Sequence, residues 1–488
     1  MYSASWNSIQ QFQVPQWLRD AKFGIYTHWG VYSVPACGPN TTWYPYNMYR
    51  EGSSQYNHHA LKYGDPSVFG YKDFIPRFRA EQFDADEWAE LFRDAGAKFA
   101  GPVGEHHDGF SMWDTALSPW NARNMGPGRD VVGELEKAIR RQGMRFMTAM
   151  HHAETWWFYP HWKKQYDVSN PAFSGLYGDV HDLQWEGQGN RLDPNPHIMN
   201  HHEFWPSQQK PTKQFLDLWI GKLKEIVDLY SPDLMWFDFA MKWIQEHYKL
   251  DFVSHYYNHA LKNGKEVAIT YKWNDLAPGA GVEDIEQGRR QTLAYNFWVT
   301  DTTVDDGEAW GFMQGNTYKT PTQLLHYLID NTSKNGALLL SLGPRADGVI
   351  PDEVKEILRE MGRWLQINGE AIYGTTPWLH AEEGPTRMTQ FGPFCEKEKL
   401  SFTHEDFRFT ARDECLYAIC LGRPKREAVI RTAKDHLYPG EIGTVNLLGH
   451  EGNLAWKMTE EGLVIEMPEA VEFRHACTLK IVRKHPFC

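Results

Sequence analysis

Three apolar runs in this chain lead to histidines, and a fourth ends on a carboxylate. Phe23 to Tyr26 leads through Thr27 to His28. Phe99 to Gly104 leads to Glu105-His106-His107-Asp108, and Arg145 to Met150 leads to His151-His152-Ala153-Glu154. Leu234-Met235-Trp236-Phe237 ends on Asp238. A charge is costly to bury alone, so one placed where a buried strand meets a loop is either paired structurally or poised for chemistry. Nearby imidazoles and indole N–H groups would hold Asp238 ionised, which suits a nucleophile. Glycosidases set two carboxyl groups across an oxocarbenium-like transition state, one attacking carbon or activating water and the other protonating the leaving oxygen. The second must come from another loop. Glu283, Asp284, Glu286, Asp301, Asp305, Asp306 and Glu308 all lie downstream. The structural alternative is a strand-end Asp paired with an Arg.

The histidines raise a rival chemistry. Imidazole is the commonest metal ligand, and His28, His106, His107, His151 and His152 with carboxylates could hold zinc in a metal-dependent hydrolase. Against this, there is no HExxH. The adjacent pairs, if still strand-like, also point to opposite sides and give at most one inward ligand each. No metal and no cofactor are therefore expected, and the imidazoles are read as partners of substrate hydroxyls.

These groups need a scaffold that gathers strand ends. Residues 16 to about 372 alternate strand-like and helix-like patterns. Strands are expected at Phe23–Tyr26, Phe99–Gly104, Arg145–Met150, Leu234–Phe237, Val267–Tyr271 and Ala337–Leu342. Helices are expected at 84–95, 131–142, 212–230, 321–331 and 350–369. Repeated βα units at this length predict a (β/α)8-like (TIM-type) barrel, whose reacting groups lie at the C-terminal strand ends. A doubly wound sheet would show a Gly-rich phosphate loop after an early strand, and none is present. After Trp378 short alternating stretches predict an antiparallel β-sandwich. The expected domains are a catalytic barrel over 1–374 and a sandwich over 375–488. The aperiodic stretch 158–204 reads as a barrel-loop insertion shaping the rim. Trp156, Trp157, Trp162, Trp185 and Trp205 could line it, with packing the competing role.

Composition narrows the partners. The formal net charge is -13, with no basic stripe, which argues against nucleic acid and strongly anionic ligands. No segment is apolar enough to span a bilayer. The first residues lack a charged region followed by an apolar one, so a cytoplasmic protein or a processed secreted form is expected. The 21 Trp suit either a large core or a sugar-facing surface. Six scattered Cys show no metal spacing, and free thiols are expected.

Several segments together resemble one family. Phe23 to Pro35 (FGIYTHWGVYSVP), Glu105 to Phe110 (EHHDGF) with Trp113, Pro127 to Leu135 (PGRDVVGEL), Trp236-Phe237-Asp238, Trp310-Gly311, Asn335 to Leu340 with Gly343-Pro344, and Asn368 to Tyr373 look like glycoside hydrolase family 29, the α-L-fucosidases. The matches run in order across some 350 residues. The resemblance implies a retaining exo-α-L-fucosidase acting on fucosylated oligosaccharides or glycoconjugates by double displacement. Carried over, Asp238 is the nucleophile. His28, Trp43, His106, His107 and Trp236 match sugar-binding positions. His151 stands where the family often has a sugar-contacting Tyr, and Trp298 lies near the acid/base loop.

Two departures matter. The family often has Glu-Arg-Gly where this chain has Glu286-Gln287-Gly288, so Arg289 or Arg290 would have to replace the missing guanidinium. Many members have Trp-Glu where this chain has Trp298-Val299. Glu286 is then the first acid/base candidate, with Asp301 or Glu308 behind it. The departures also leave a catalytically weakened carbohydrate-binding homologue as the alternative. No oligomeric state is assigned.

Overall fold

A computed structural model describes residues 1–182, 210–307, 309–398, 400–469 and 473–484. Eight parallel strands close into a barrel in chain order. They are β1 Phe23–Thr27, β2 Phe99–Glu105, β3 Arg145–Met150, β4 Leu234–Phe237, β5 Ala268–Tyr271, β6 Val282–Asp284, β7 Trp298–Thr303 and β8 Gly336–Leu342. Closure comes from β1 pairing with β8, with Gly24 beside Leu339 and Ile25 beside Leu340. Glycine is required where strands crowd: a Cβ on Gly101 would sit 1.6 Å from the Met147 carbonyl oxygen.

The helices surround the barrel with apolar faces inward. Asp84 caps Ala85–Asp94, accepting from the N–H groups of Asp86 and Glu87. The remaining expected helices form at Val131–Arg141, Lys213–Tyr230, Pro321–Ser333 and Asp352–Asn368. The helix Glu246–Lys262 and strands β6 and β7 were not among the expected elements. β6 has only three residues, too few for a period, and inward Asp301 interrupts the apolar run of β7. The expected rim insertion falls partly outside the described residues, and Trp185 and Trp205 lie there entirely. Trp156 and Trp157 are buried. Trp156 packs against His181 and Phe215, and Trp157 against Trp243.

The C-terminal part forms two antiparallel sheets. One holds Ile442–Leu447, Cys477–Arg483, Cys415–Cys420, Phe407–Arg412 and Thr376–Glu383 in that order; the other holds Glu427–Ile430, Leu463–Glu466 and Trp456–Met458. Phe407, Phe409, Leu416, Leu479, Ile430 and Ile465 share one core between them. The five described cysteines are free thiols.

A buried ion cluster joins the two parts. Arg408 Nε donates to Asp330 Oδ1 at 2.6 Å, and Lys334 Nζ lies 3.1 Å from both Asp330 and Glu382. Burial alone would lift the Asp330 carboxyl, but Lys334 and Arg408 hold it below the usual carboxylate range. Arg408→Met leaves Lys334 as the one cation for two carboxylates, Asp330 and Glu382, so a loss of about 3–5 kcal/mol in unfolding stability is expected. Denaturant titration measures it; a loss below about 1 kcal/mol would contradict the cluster's role.

Candidate active site

Asp238 follows β4 directly, its N–H reaching the Met150 carbonyl of β3 at 3.4 Å. It therefore sits between the ends of β3 and β5. Its Oδ2 lies 3.3 Å from His107 Nε2 and 4.0 Å from His151 Nε2, and its Oδ1 lies 3.3 Å from Lys272 Nζ. Burial by itself would raise this carboxyl. The Lys272 ammonium, the His107 hydrogen bond and the Phe239 N–H overcome that and hold it below the usual carboxylate range. Asp238 is an anion at neutral pH.

His151 and His152 point to opposite sides as expected, but His106 and His107 do not. β2 stops at Glu105, so strand parity no longer governs His106 and His107, and both enter the mouth. His106 packs 4.4 Å from the His151 ring and 5.6 Å from the His28 ring. His107 donates from Nδ1 to the His151 carbonyl at 3.0 Å while Nε2 faces Asp238, so both ring nitrogens meet acceptors. His28 Nδ1 is fixed by Ser341 Oγ of β8 at 2.7 Å. His152 turns outward, to the Trp219 carbonyl at 3.3 Å. Burial pushes His28 down to about 3 and takes His106 and His151 well below the ordinary range, so these rings are neutral. One nitrogen each of His28, His106 and His151 fall within 4.8 Å of one another, the grouping at the mouth that could hold a metal ion. Three indoles complete the wall. Trp43 lies 5.5 Å from the His107 ring, Trp310 5.2 Å from His28, and Trp236 5.1 Å from His151.

Lys272 was not foreseen. It sits one residue past β5 and is fully enclosed. Asp284 Oδ2 of β6 is 3.7 Å away, Asp301 Oδ1 of β7 is 3.9 Å away, and Glu286 Oε2 contacts it directly. Trp236 lies under it at 4.8 Å. Burial raises Glu286, Asp301 and Asp238 repel its charge, and Lys272 only partly compensates, so its carboxyl is pushed up to about 8. Backbone strain marks the same places: Ala240, Trp273 and Gln287 follow Asp238, Lys272 and Glu286 closely and all have positive φ.

Other expected site residues lie elsewhere. Trp298 faces away from the lumen, because inward Asp301 fixes the parity of β7. Its Nε1 donates to the Lys334 carbonyl at 3.0 Å, so it packs against the helical layer and cannot meet a sugar in the mouth. Arg289 is also outside, stacked 5.0 Å over Tyr327 of the helix Pro321–Ser333. Arg290 pairs with Glu283 on the outer surface. Neither supplies the missing guanidinium. Glu308 lies outside the described residues. The signal for Lys272 was the strand end Ile269-Thr270-Tyr271-Lys272, read only as a strand.

A closed parallel barrel whose mouth gathers several carboxyls among imidazoles and indoles has the layout of a glycoside hydrolase. The family profile described as Alpha-L-fucosidase matches residues 1–370, and that of the Alpha-L-fucosidase C-terminal domain matches 401–482. The tissue alpha-L-fucosidase of Rattus norvegicus is 30% identical over 496 residues, covering 99% of this chain and 93% of the relative. That of Homo sapiens is 29% identical, covering 98% and 91%. The Thermotoga maritima alpha-fucosidase in complex with fucose superposes with a TM-score of 0.76 at 28% identity, covering 99% of this chain and all of that one. The chain belongs to the α-L-fucosidase family, glycoside hydrolase family 29.

Proposed function

We propose that this enzyme is a retaining exo-α-L-fucosidase in which Asp238 attacks the anomeric carbon and Glu286 is the acid/base. The observation that carries this reading is the pair of carboxyls, Asp238 and Glu286, that one enclosed lysine brings together at the barrel mouth. Asp238 is held ionised while Glu286 is pushed up to about 8, the division of labour a nucleophile and a proton donor need. Asp301 is the weaker donor, since it accepts from the Tyr26 hydroxyl at 2.8 Å and is almost wholly enclosed. Glu286 keeps more contact with the mouth, its side chain 14% exposed.

In the first step Asp238 bonds to the anomeric carbon as Glu286 gives its proton to the glycosidic oxygen, and the aglycone leaves. In the second, Glu286 takes a proton from water, the water oxygen bonds to the same carbon, and Asp238 departs as carboxylate. Two inversions return α-L-fucose. The Trp236 indole N–H and the Nδ1 atoms of His106 and His151 have no partner among the described residues, which suits contacts to sugar hydroxyls. His28, His107 and Trp43 complete the sugar's surroundings. The fucose bound by the Thermotoga maritima neighbour supports the same sugar here.

Because Glu286 must enter the reaction protonated, kcat/KM should fall as pH rises through about 8, while Asp238 stays ionised across that range. The activity test is fucose release from a nitrophenyl α-L-fucoside and from a panel of fucosylated oligosaccharides. Release from none would favour a binding-only role. A chelator should leave activity unchanged; loss on chelation would favour metal chemistry at His28, His106 and His151.

A further inference from the structure

We propose that Asp228, His255 and His259 form a binding site for a divalent transition-metal ion of the zinc type, which clasps two neighbouring helices at the end of the barrel opposite the active site. His255 and His259 stand one turn apart on the helix Glu246–Lys262, so their rings project from one face. Two histidines at that spacing on a helix are a recognised way of holding zinc. Asp228 comes from the last turn of the helix Lys213–Tyr230, which packs alongside. One ligand atom of each residue lies within 4.8 Å of the other two. Asp228 Oδ1 is 3.0 Å from His255 Nε2 and 3.4 Å from His259 Nδ1. Two donors on one tetrahedral zinc, each about 2.1 Å from it, stand about 3.4 Å apart, so these two spacings need little adjustment.

The surroundings suit an ion. Ser231 Oγ meets His259 Nε2 at 2.9 Å, on the far side of the ring from Asp228. A metal-bound His259 keeps its proton on Nε2 and donates it to that hydroxyl, the outer contact that orients a ligating histidine and directs Nδ1 to the ion. Two imidazoles and one carboxylate select zinc, nickel or copper over magnesium and calcium, which take oxygen ligands. The Asp228 side chain is 56% exposed and that of His259 21%, so an ion with its waters can enter from solvent while the chelating ring stays packed. As exposed ion pairs alone these three residues would contribute little. A bound ion instead joins the two helices that lead into β4 and β5. Asp228 and His259 stand in the last turns of those helices, next to the starts of the strands and away from their catalytic ends. The gain expected at that end of a barrel is stability, and turnover does not pass through this ion.

The test uses the full chain, freed of metal with a chelator and titrated with zinc chloride in a calorimeter. The parent should take up one zinc per chain more than the double variant His255→Ala/His259→Ala. Saturating zinc should raise the parent's Tm by about 2–3 °C more than the variant's. Ser231→Ala should weaken that zinc by about 10- to 100-fold. The other histidines remain in both proteins, so zinc bound elsewhere cancels from the comparison. Equal zinc uptake with equal Tm shifts in parent and double variant overturns the proposal, as does magnesium chloride binding as tightly as zinc. Should the double variant fail to fold, Asp228→Asn carries the same expectation, and uptake equal to the parent's is equally decisive.

Discussion

Asp238→Gly should lower kcat on aryl α-L-fucosides by roughly 10⁴- to 10⁶-fold, the scale seen when a covalent nucleophile is removed. The fold should survive, because Lys272 keeps three carboxyl partners in Asp284, Glu286 and Asp301. The vacated space lies beside that ammonium and the His107 ring, so a small anion should enter it. Added azide should restore part of the turnover and give β-L-fucosyl azide, the product of one inversion instead of two. Turnover within about tenfold of the parent would remove Asp238 from the mechanism.

Glu286→Gln should show a different signature, one graded by the leaving group. General acid catalysis contributes on the order of 10²- to 10⁴-fold, and a natural alcohol leaving group needs all of it. A substrate with an activated aryl or fluoride leaving group needs little, so its first step should be nearly spared. Its second step should still slow, because water loses its base, and the covalent intermediate should accumulate. The basic limb near pH 8 should disappear with the carboxyl that produces it. Equal losses on activated and natural substrates, or a retained limb, would transfer the acid/base role to another carboxyl.

Much of this site could be read before the fold was known, and the physical reason is strand geometry. Apolar runs ending on His28, on His106, on His151 and on Asp238 announce four strand ends, and a barrel gathers strand ends at one mouth. What alternation could not reveal was where each strand stops. His107 reaches Asp238 because β2 stops at Glu105, and Trp298 is lost to the helical layer because inward Asp301 sets the parity of β7. Lys272 was missed for a related reason: a lysine after a short strand looks like a solvated loop residue until four carboxyls from neighbouring strands enclose it. The family resemblance directed attention to an absent arginine near Glu286. It gave no sign of Lys272, whose ammonium reaches Asp238 and Glu286 from the end of β5. In the C-terminal part, alternating patterns predicted antiparallel sheets, whereas the buried Arg408–Asp330 contact joins residues 78 positions apart and left no local trace.

The central claim is that Asp238 forms the bond to fucose. Incubation with 2-fluoro-fucosyl fluoride, followed by proteolysis and mass spectrometry, tests it directly. The account requires one fluorofucosyl adduct, carried by the peptide Leu234 to Ala240 and located on Asp238. An adduct on Glu286, or no adduct from an enzyme whose first-formed product is β-L-fucose, would contradict it.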